Sequence, residues 1–211
     1  SLAEATRTFG ERHLRTSLKD EEQPGERTHE IARALAEVDL LDVTVPPPFG
    51  RLDLRSLAVV REALAYYSSL ADTAFVMQGL GSHAIALAGT EVQKKRWLPA
   101  VASADVLAAF AVTEPEAGSD LAAVRTRATP DGPLWRLEGV KTFISNAGLA
   151  GVMTVLARSG DEPGRAGLSM FLVDGESPGL SVKPLEPIAP HPLGEIRFDG
   201  TPGLLLGEAG K

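Results

Sequence analysis

The chain has 211 residues, 44% of them hydrophobic, with 28 acidic against 21 basic side chains and a formal net charge of −7. That length holds one large domain or two small ones, and the acidic balance excludes a nucleic-acid binder, whose phosphates require clustered Lys and Arg. The absence of cysteine excludes disulfides and thiolate metal sites, and no apolar run approaches the ~20 residues that a helical membrane span requires.

The first segment, Leu2 to Lys19, mixes charged and apolar residues and carries no signal-peptide core. The chain begins at Ser1 rather than Met, as a processed or trimmed polypeptide does. These features together predict a cytoplasmic protein. Leu2 to Leu18 predicts an amphipathic helix with Ala3, Phe9, His13 and Leu14 as its apolar side. Pro24 and Gly25 mark a break over Glu21 to Glu26, and Ile31, Leu35 and Val38 fall at helical spacing within Arg27 to Leu41. Three consecutive prolines make Val45 to Gly50 an extended loop. Helices are predicted over Leu54 to Leu70 and over Ala71 to Gly89, the latter apolar on most sides and so buried. Thr90 followed by Gln93 is a capping box opening a helix that runs toward Val101, with Lys94, Lys95 and Arg96 as its solvated face.

The period then changes. Leu107 to Val112 is an apolar run of strand length, and further strands are predicted over Val124–Thr129, Leu134–Leu137, Val140–Ser145, Gly151–Ala157, Leu168–Val173, Leu180–Pro184 and Glu195–Phe198. Glu138-Gly139 is placed as a hairpin turn between the third and fourth of these runs. The expectation is therefore α+β: an all-α domain over residues 1–104 and a β-barrel or sandwich domain over 105–211.

The two halves meet at Phe110-Ala-Val-Thr-Glu-Pro-Glu-Ala-Gly-Ser-Asp120. Pro115 keeps Glu114 extended and removes a donor, which ends the strand, and Thr113 leaves a hydroxyl at its exit. Gly118, Ser119 and Asp120 form a turn whose N–H groups can meet an anionic oxygen. Glu114, Glu116 and Asp120 crowd the same turn with negative charge, so residue types alone equally describe an acidic, solvated loop. Phe143 and Ile144 alone read as barrel core, and Thr113 and Ser145 as strand-end hydroxyls. His83 reads as a hydrogen-bonded core histidine, His191 as a loop residue, and His13 and His29 as residues of surface helices. No His, Asp or Glu set has ligand spacing, so no metal site is predicted.

The Phe110–Asp120 stretch resembles the signature of the acyl-CoA dehydrogenase family. Two further segments are similar to that family in the same order: Gly139-Val-Lys-Thr-Phe-Ile-Ser-Asn-Ala147, and Gly89-Thr-Glu-Val-Gln-Lys-Lys-Arg-Trp-Leu-Pro99. The resemblance spans essentially the whole chain but only the first two of the family's three domains. It implies FAD as cofactor, an acyl-CoA thioester as substrate and electron-transferring flavoprotein or a similar acceptor as partner. In that family a hydride leaves the acyl β-carbon for flavin N5 while a carboxylate removes the α-proton. Carried onto this chain, Phe110, Val112 and Thr113 match positions lining the flavin ring. Gly118 and Ser119 match positions near the pyrophosphate, with Ser119 also facing the incoming acyl-CoA. Phe143, Ile144 and Ser145 match the second flavin-contacting tripeptide.

Two departures bear on cofactor affinity and packing: Glu116 stands where Gly is frequent, and Phe143 where many members have Trp. The sequence stops at Lys211, where the family continues into a helical bundle carrying its catalytic glutamate and much of its subunit interface. The resemblance therefore implies an isolated chain that is inactive, and a homo-oligomer when complete. A non-catalytic or split subunit that binds flavin or acyl-CoA and needs a partner, and a related flavin oxidase or monooxygenase, remain open from sequence.

Overall fold

Ser1 and Glu4 close a reciprocal capping box on the first helix, α1 (Leu2–His13), whose buried Thr6, Phe9 and Gly10 fix its inward face. The computed structural model describes residues 1–14 and 23–210, so the predicted extension of α1 through Leu18 lies partly outside the described residues. Leu14 is already the C-cap. Helix α2 (Pro24–Glu37) starts earlier than predicted because Pro24, assigned to a break, sits in its first turn. Proline is suited to that position, since its missing N–H would have no helical partner there. Val38 is a half-exposed cap residue rather than part of the buried stripe of Ile31 and Leu35. A short 3-10 turn, Leu41–Thr44, leads into the proline-rich loop, which is not extended as predicted but turns back on itself, the Phe49 and Gly50 N–H groups both donating to the Pro46 carbonyl at 3.2 Å.

Helices α3 (Leu54–Tyr67) and α4 (Ser69–Ala88) are separated only by Ser68, whose extended backbone and side-chain cap on the Ala71 N–H force the break there. Arg61 and Asp72 then lock the two helices with paired bonds of 2.8 Å each. Helix α5 (Glu91–Ala102) opens with the expected Thr90–Gln93 capping box. Phe75, Leu35, Leu41 and Leu64 centre the helical core.

Seven strands follow: β1 (Leu107–Ala111), β2 (Arg127–Asp131), β3 (Leu134–Ser145), β4 (Ala150–Arg158), β5 (Leu168–Asp174), β6 (Leu180–Leu185) and β7 (Leu193–Leu206). The pairings β4–β2–β3–β7–β5–β4 close a barrel, with β1 parallel to β4 on one edge and β6 against β7. Its interior is filled by Ile144, Met153, Val155, Phe171, Ile196 and Phe198.

Three strand assignments are corrected. Val124 lies ahead of β2, which runs from Arg127. The two runs either side of Glu138-Gly139 are one strand, and the hairpin turn lies between Asp131 and Leu134, where Gly132 has φ +60°. Gly139 is instead a point of close approach: a Cβ there would lie 2.5 Å from Thr126 Oγ1. Finally, β7 extends from Leu193 through Leu206, bending so that one strand serves β3, β5 and β6.

The helical layer lies directly on the barrel. Gly81 of α4 lets the helix touch β1, because a Cβ at that position would fall 2.7 Å from both the Ala108 Cβ and the Ala109 N. Buried Gln78 donates to the carbonyls of Val101 (2.8 Å) and Val106 (2.9 Å), and its Oε1 accepts from the Ala108 N–H at 2.9 Å. Thr154 of β4 completes the seam by donating to the Gly81 carbonyl at 3.1 Å.

Candidate functional site

Strand β1 ends where Glu114 and Ala117 exchange backbone bonds of 2.9 and 3.2 Å across Pro115-Glu116, forming a tight turn. Beyond it Gly118 opens onto free space, with no heavy atom within 4 Å of where a Cβ would stand. Ser119 is exposed, and Asp120 caps the short 3-10 turn Leu121–Ala123 through the Ala122 N–H at 3.1 Å.

Strand β3 reaches the same place from the other side. Its ladder with β7 is interrupted between Lys141 and Ile144, which takes Thr142 and Phe143 out of strand pairing. The freed Thr142 N–H donates to the Thr113 carbonyl at 2.9 Å. Lys141 Nζ donates to the Val112 carbonyl (2.9 Å) and to Glu114 Oε1 (2.8 Å), and Asn146 Nδ2 donates to the Ala108 carbonyl at 2.9 Å. The tripeptide Phe143–Ser145 is thus held between ties to β1 on both flanks, although β1 and β3 are not ladder partners.

Within that bridge the side chains diverge. Phe143 is 66% exposed with φ +57°, a left-handed backbone that is unusual for a bulky residue. Ile144 is 1% exposed and points into the barrel, leaving only its backbone for contacts outside. The core reading thus holds for Ile144 and fails for Phe143. Ser145, Phe110, Val112 and Thr113 are all half-buried. Gly118 and Ser119 belong to the same exit loop as Thr113. His83, read as a core histidine, is exposed on α4.

The feature that sequence reasoning left without a role is the buried pair. The Lys141 side chain is fully buried and the Glu114 side chain 5% exposed. Glu114 also accepts from the N–H groups of Arg125 (2.7 Å) and Thr126 (2.9 Å). Burial by itself raises its carboxyl, but the Lys141 ammonium and these N–H donors outweigh that and hold it below its ordinary value. Strand alternation puts Lys141 on the face opposite Ile144, so the sequence carried no signal of its burial; the interrupted ladder is what leaves both side chains buried. Among the described residues no cluster of three or more His, Cys, Asp or Glu side chains could hold a metal, and no helix is long and apolar enough to cross a membrane.

Chemically, the arrangement offers an exposed aromatic face, two half-buried hydroxyl side chains at strand ends, and an open glycine turn that an anionic group can approach. These residues suit a ligand with a flat ring and a charged tail.

The sequence model of the acyl-CoA dehydrogenase N-terminal domain matches residues 1–105, and that of the acyl-CoA dehydrogenase middle domain matches residues 109–201. The cyclohexane-1-carbonyl-CoA dehydrogenase of Geobacter metallireducens is 33% identical over 188 residues, which cover 88% of this chain and 49% of that protein. A glutaryl-CoA dehydrogenase in complex with glutaryl-CoA superposes with a TM-score of 0.90 at 29% identity, covering 99% of this chain and 56% of that one. An acyl-CoA dehydrogenase complexed with FAD from Bacillus anthracis gives a TM-score of 0.86 at 30% identity, covering 99% of this chain and 37% of that one. The chain thus spans about half, or less, of the length of these proteins, and it belongs to the acyl-CoA dehydrogenase family, whose N-terminal and middle domains it carries.

Proposed function

We propose that this chain forms the flavin-facing and thioester-facing part of an FAD-dependent acyl-CoA dehydrogenase that desaturates acyl-CoA between the α and β carbons. The observation that carries this reading is the bridge at Phe143: an exposed aromatic at left-handed φ, tied through Thr142 to the exit of β1 beside Thr113. A protein keeps such a conformation where the surroundings over-determine it, and these sites cluster at ligand clamps. FAD, when bound, supplies the two-electron oxidation of the saturated thioester.

The residues divide the work of holding that group. Phe143, Phe110 and Val112 offer the apolar face, and the hydroxyls of Thr113 and Ser145 serve its polar edge, where they can stabilise added negative charge in a dry site. Ile144 contributes through its backbone. The N–H groups of Gly118 and Ser119 suit the pyrophosphate, and the Ser119 hydroxyl suits the incoming acyl-CoA. Read as a helical domain over 1–104 and a β domain over 105–211, the chain carries all of these residues on its β domain.

Glu114 is not the base in this reading. Its oxygens are occupied by three donors and its carboxyl is held low, whereas a general base works best with a pKa near the operating pH. The 211 residues alone are therefore expected to bind without desaturating. The complete protein is expected to be a cytoplasmic homo-oligomer that passes electrons to an acceptor such as electron-transferring flavoprotein.

Titration of the purified chain with FAD, followed by visible absorption and by quenching of flavin fluorescence, tests the cofactor assignment. A resolved, shifted flavin band is the expected result, and a spectrum identical to free FAD at saturating protein refutes it. Desaturation of acyl-CoA by the 211 residues with an artificial electron acceptor would overturn the expected inactivity and require a base among the residues present.

A further inference from the structure

Strands β1 and β3 have no ladder between them, yet the proposed cofactor face requires their ends to keep one register. The bonds that set this register come from three residues: the Thr142 N–H to the Thr113 carbonyl, Asn146 Nδ2 to the Ala108 carbonyl, and Lys141 Nζ to the Val112 carbonyl and Glu114. Only Lys141 reaches two points of the β1 exit at once. Its bond to Val112 fixes the peptide plane that leads into Thr113, and its bond to Glu114 anchors the turn that follows. Glu114 extends the connection to the Arg125 and Thr126 N–H groups ahead of β2. One buried ammonium and one buried carboxylate therefore join three separate chain segments around Thr113 and Phe143.

We propose that Lys141 and Glu114 are positioning residues whose ion pair presets the face formed by Thr113, Phe143 and Ser145 before any ligand arrives. The physical case rests on what an apolar replacement could not do. Two well-packed hydrophobic side chains of similar volume can match or exceed the stability of a buried ion pair, but they have no donors with which to orient a carbonyl. Phe143 departs from strand pairing at left-handed φ, and its conformation needs fixed neighbours on both sides. The Asn146 bond to Ala108 supplies one side and the Lys141–Val112–Glu114 set supplies the other. Placement within a fraction of an ångström is what such preorganised sites require of their supporting groups. Neither residue is assigned contact with cofactor or substrate, so each acts through the backbone it holds.

This inference rests on the proposed cofactor reading, and the test has one arm that does not. Three variants of the 211-residue chain are compared with the parent: Lys141→Met, Glu114→Gln, and the double variant Lys141→Met with Glu114→Leu, which removes both charges and keeps a filled core. In the ligand-free chain, amide hydrogen exchange is read at Thr142, Arg125 and Thr126, with the α4 amides as the internal standard. The double variant is expected to exchange about 100-fold faster at Thr142 while α4 stays as in the parent, the pattern of local opening. Uniform acceleration across the chain, or none at Thr142, overturns the proposal. In the second arm, FAD affinity of the double variant is expected to fall about tenfold or more at a temperature where the variant is fully folded. Parent-like FAD affinity in the double variant overturns it as well. If the parent itself binds no FAD, the cofactor reading fails, and the exchange arm alone decides whether the pair sets the register. If Lys141→Met does not fold, the double variant and Glu114→Gln carry both arms.

Discussion

Phe143 offers the sharpest test of the site, because its stability cost and its binding cost should come apart. A phenylalanine buries roughly 150–250 Å² when fully enclosed. At 66% exposure Phe143 hides about a third of that, so at ~25 cal/mol per Å² its replacement by Ala costs about 1–2 kcal/mol. Phe171, which is fully buried in the barrel core, should cost about 3–5 kcal/mol on the same replacement. The backbone supplies a second signature. Alanine retains the left-handed penalty at φ +57°, whereas glycine removes about 1–2 kcal/mol of it and gives part back in chain entropy. Phe143→Gly should therefore be more stable than Phe143→Ala, the reverse of the usual order within a strand. Urea denaturation of the four proteins reads all three values. FAD titration of the same samples should show both Phe143 variants weakened by about two- to tenfold, the range expected for one aromatic contact. A Phe143→Ala loss equal to that of Phe171→Ala would refute the reasoning, since it would mean that the ring serves the fold. Unchanged FAD affinity in both Phe143 variants would remove the ring from the cofactor face.

The remaining predictions concern the parts that hold the face in place. Lys141→Met should cost about 3–5 kcal/mol because it strands a buried carboxylate, and adding Glu114→Leu should recover only part of it, since the Val112 carbonyl and the Arg125 and Thr126 N–H groups still lack partners; thermal or urea unfolding of the two variants checks the non-additivity. Acid should weaken the parent chain in a defined window. The Glu114 carboxyl is lower in the folded than in the unfolded state, so its stabilisation is complete above the ordinary value near 4.5 and is lost as pH falls through that value toward the folded one. The urea midpoint should drop more steeply across that window in the parent chain than in Glu114→Gln, and parallel profiles would count against it. Gln78→Leu should cost at least ~3 kcal/mol, since it leaves the Val101 and Val106 carbonyls and the Ala108 N–H without their buried partner. Gly81→Ala should lift α4 from β1 and cost about 1–3 kcal/mol by overpacking, read as a lowered thermal midpoint.

Much of the framework was written locally and could be read locally. The Thr90–Gln93 cap, the strand length of Leu107–Ala111 and the shift from helical to strand period each depend on neighbours a few residues apart. The misreadings also have local causes. Pro24 and Gly25 carry the marks of a break, but proline fits the first turn of a helix. Glu138-Gly139 carries the marks of a turn, but Gly139 is there because Thr126 passes too close for a side chain. His83 sits on an apolar helix yet faces outward, because the sequence of a helix apolar on most sides does not say which side is covered.

The chemistry of the site divides in the same way. Sequence determined which residue types stand at the two signature segments, because those segments are short and continuous. It also determined that the β1 strand must stop near Pro115. Tertiary structure alone decided that Thr142 would meet Thr113, that Phe143 would turn out of the barrel while Ile144 turned in, and that Lys141 would find Glu114 across 27 residues. Each of these depends on barrel closure and on a ladder interrupted at one point, and the energy that selects them comes from contacts distant along the chain. Local propensity ends at the strand's last residue, whereas the position of its neighbour is set by the whole sheet.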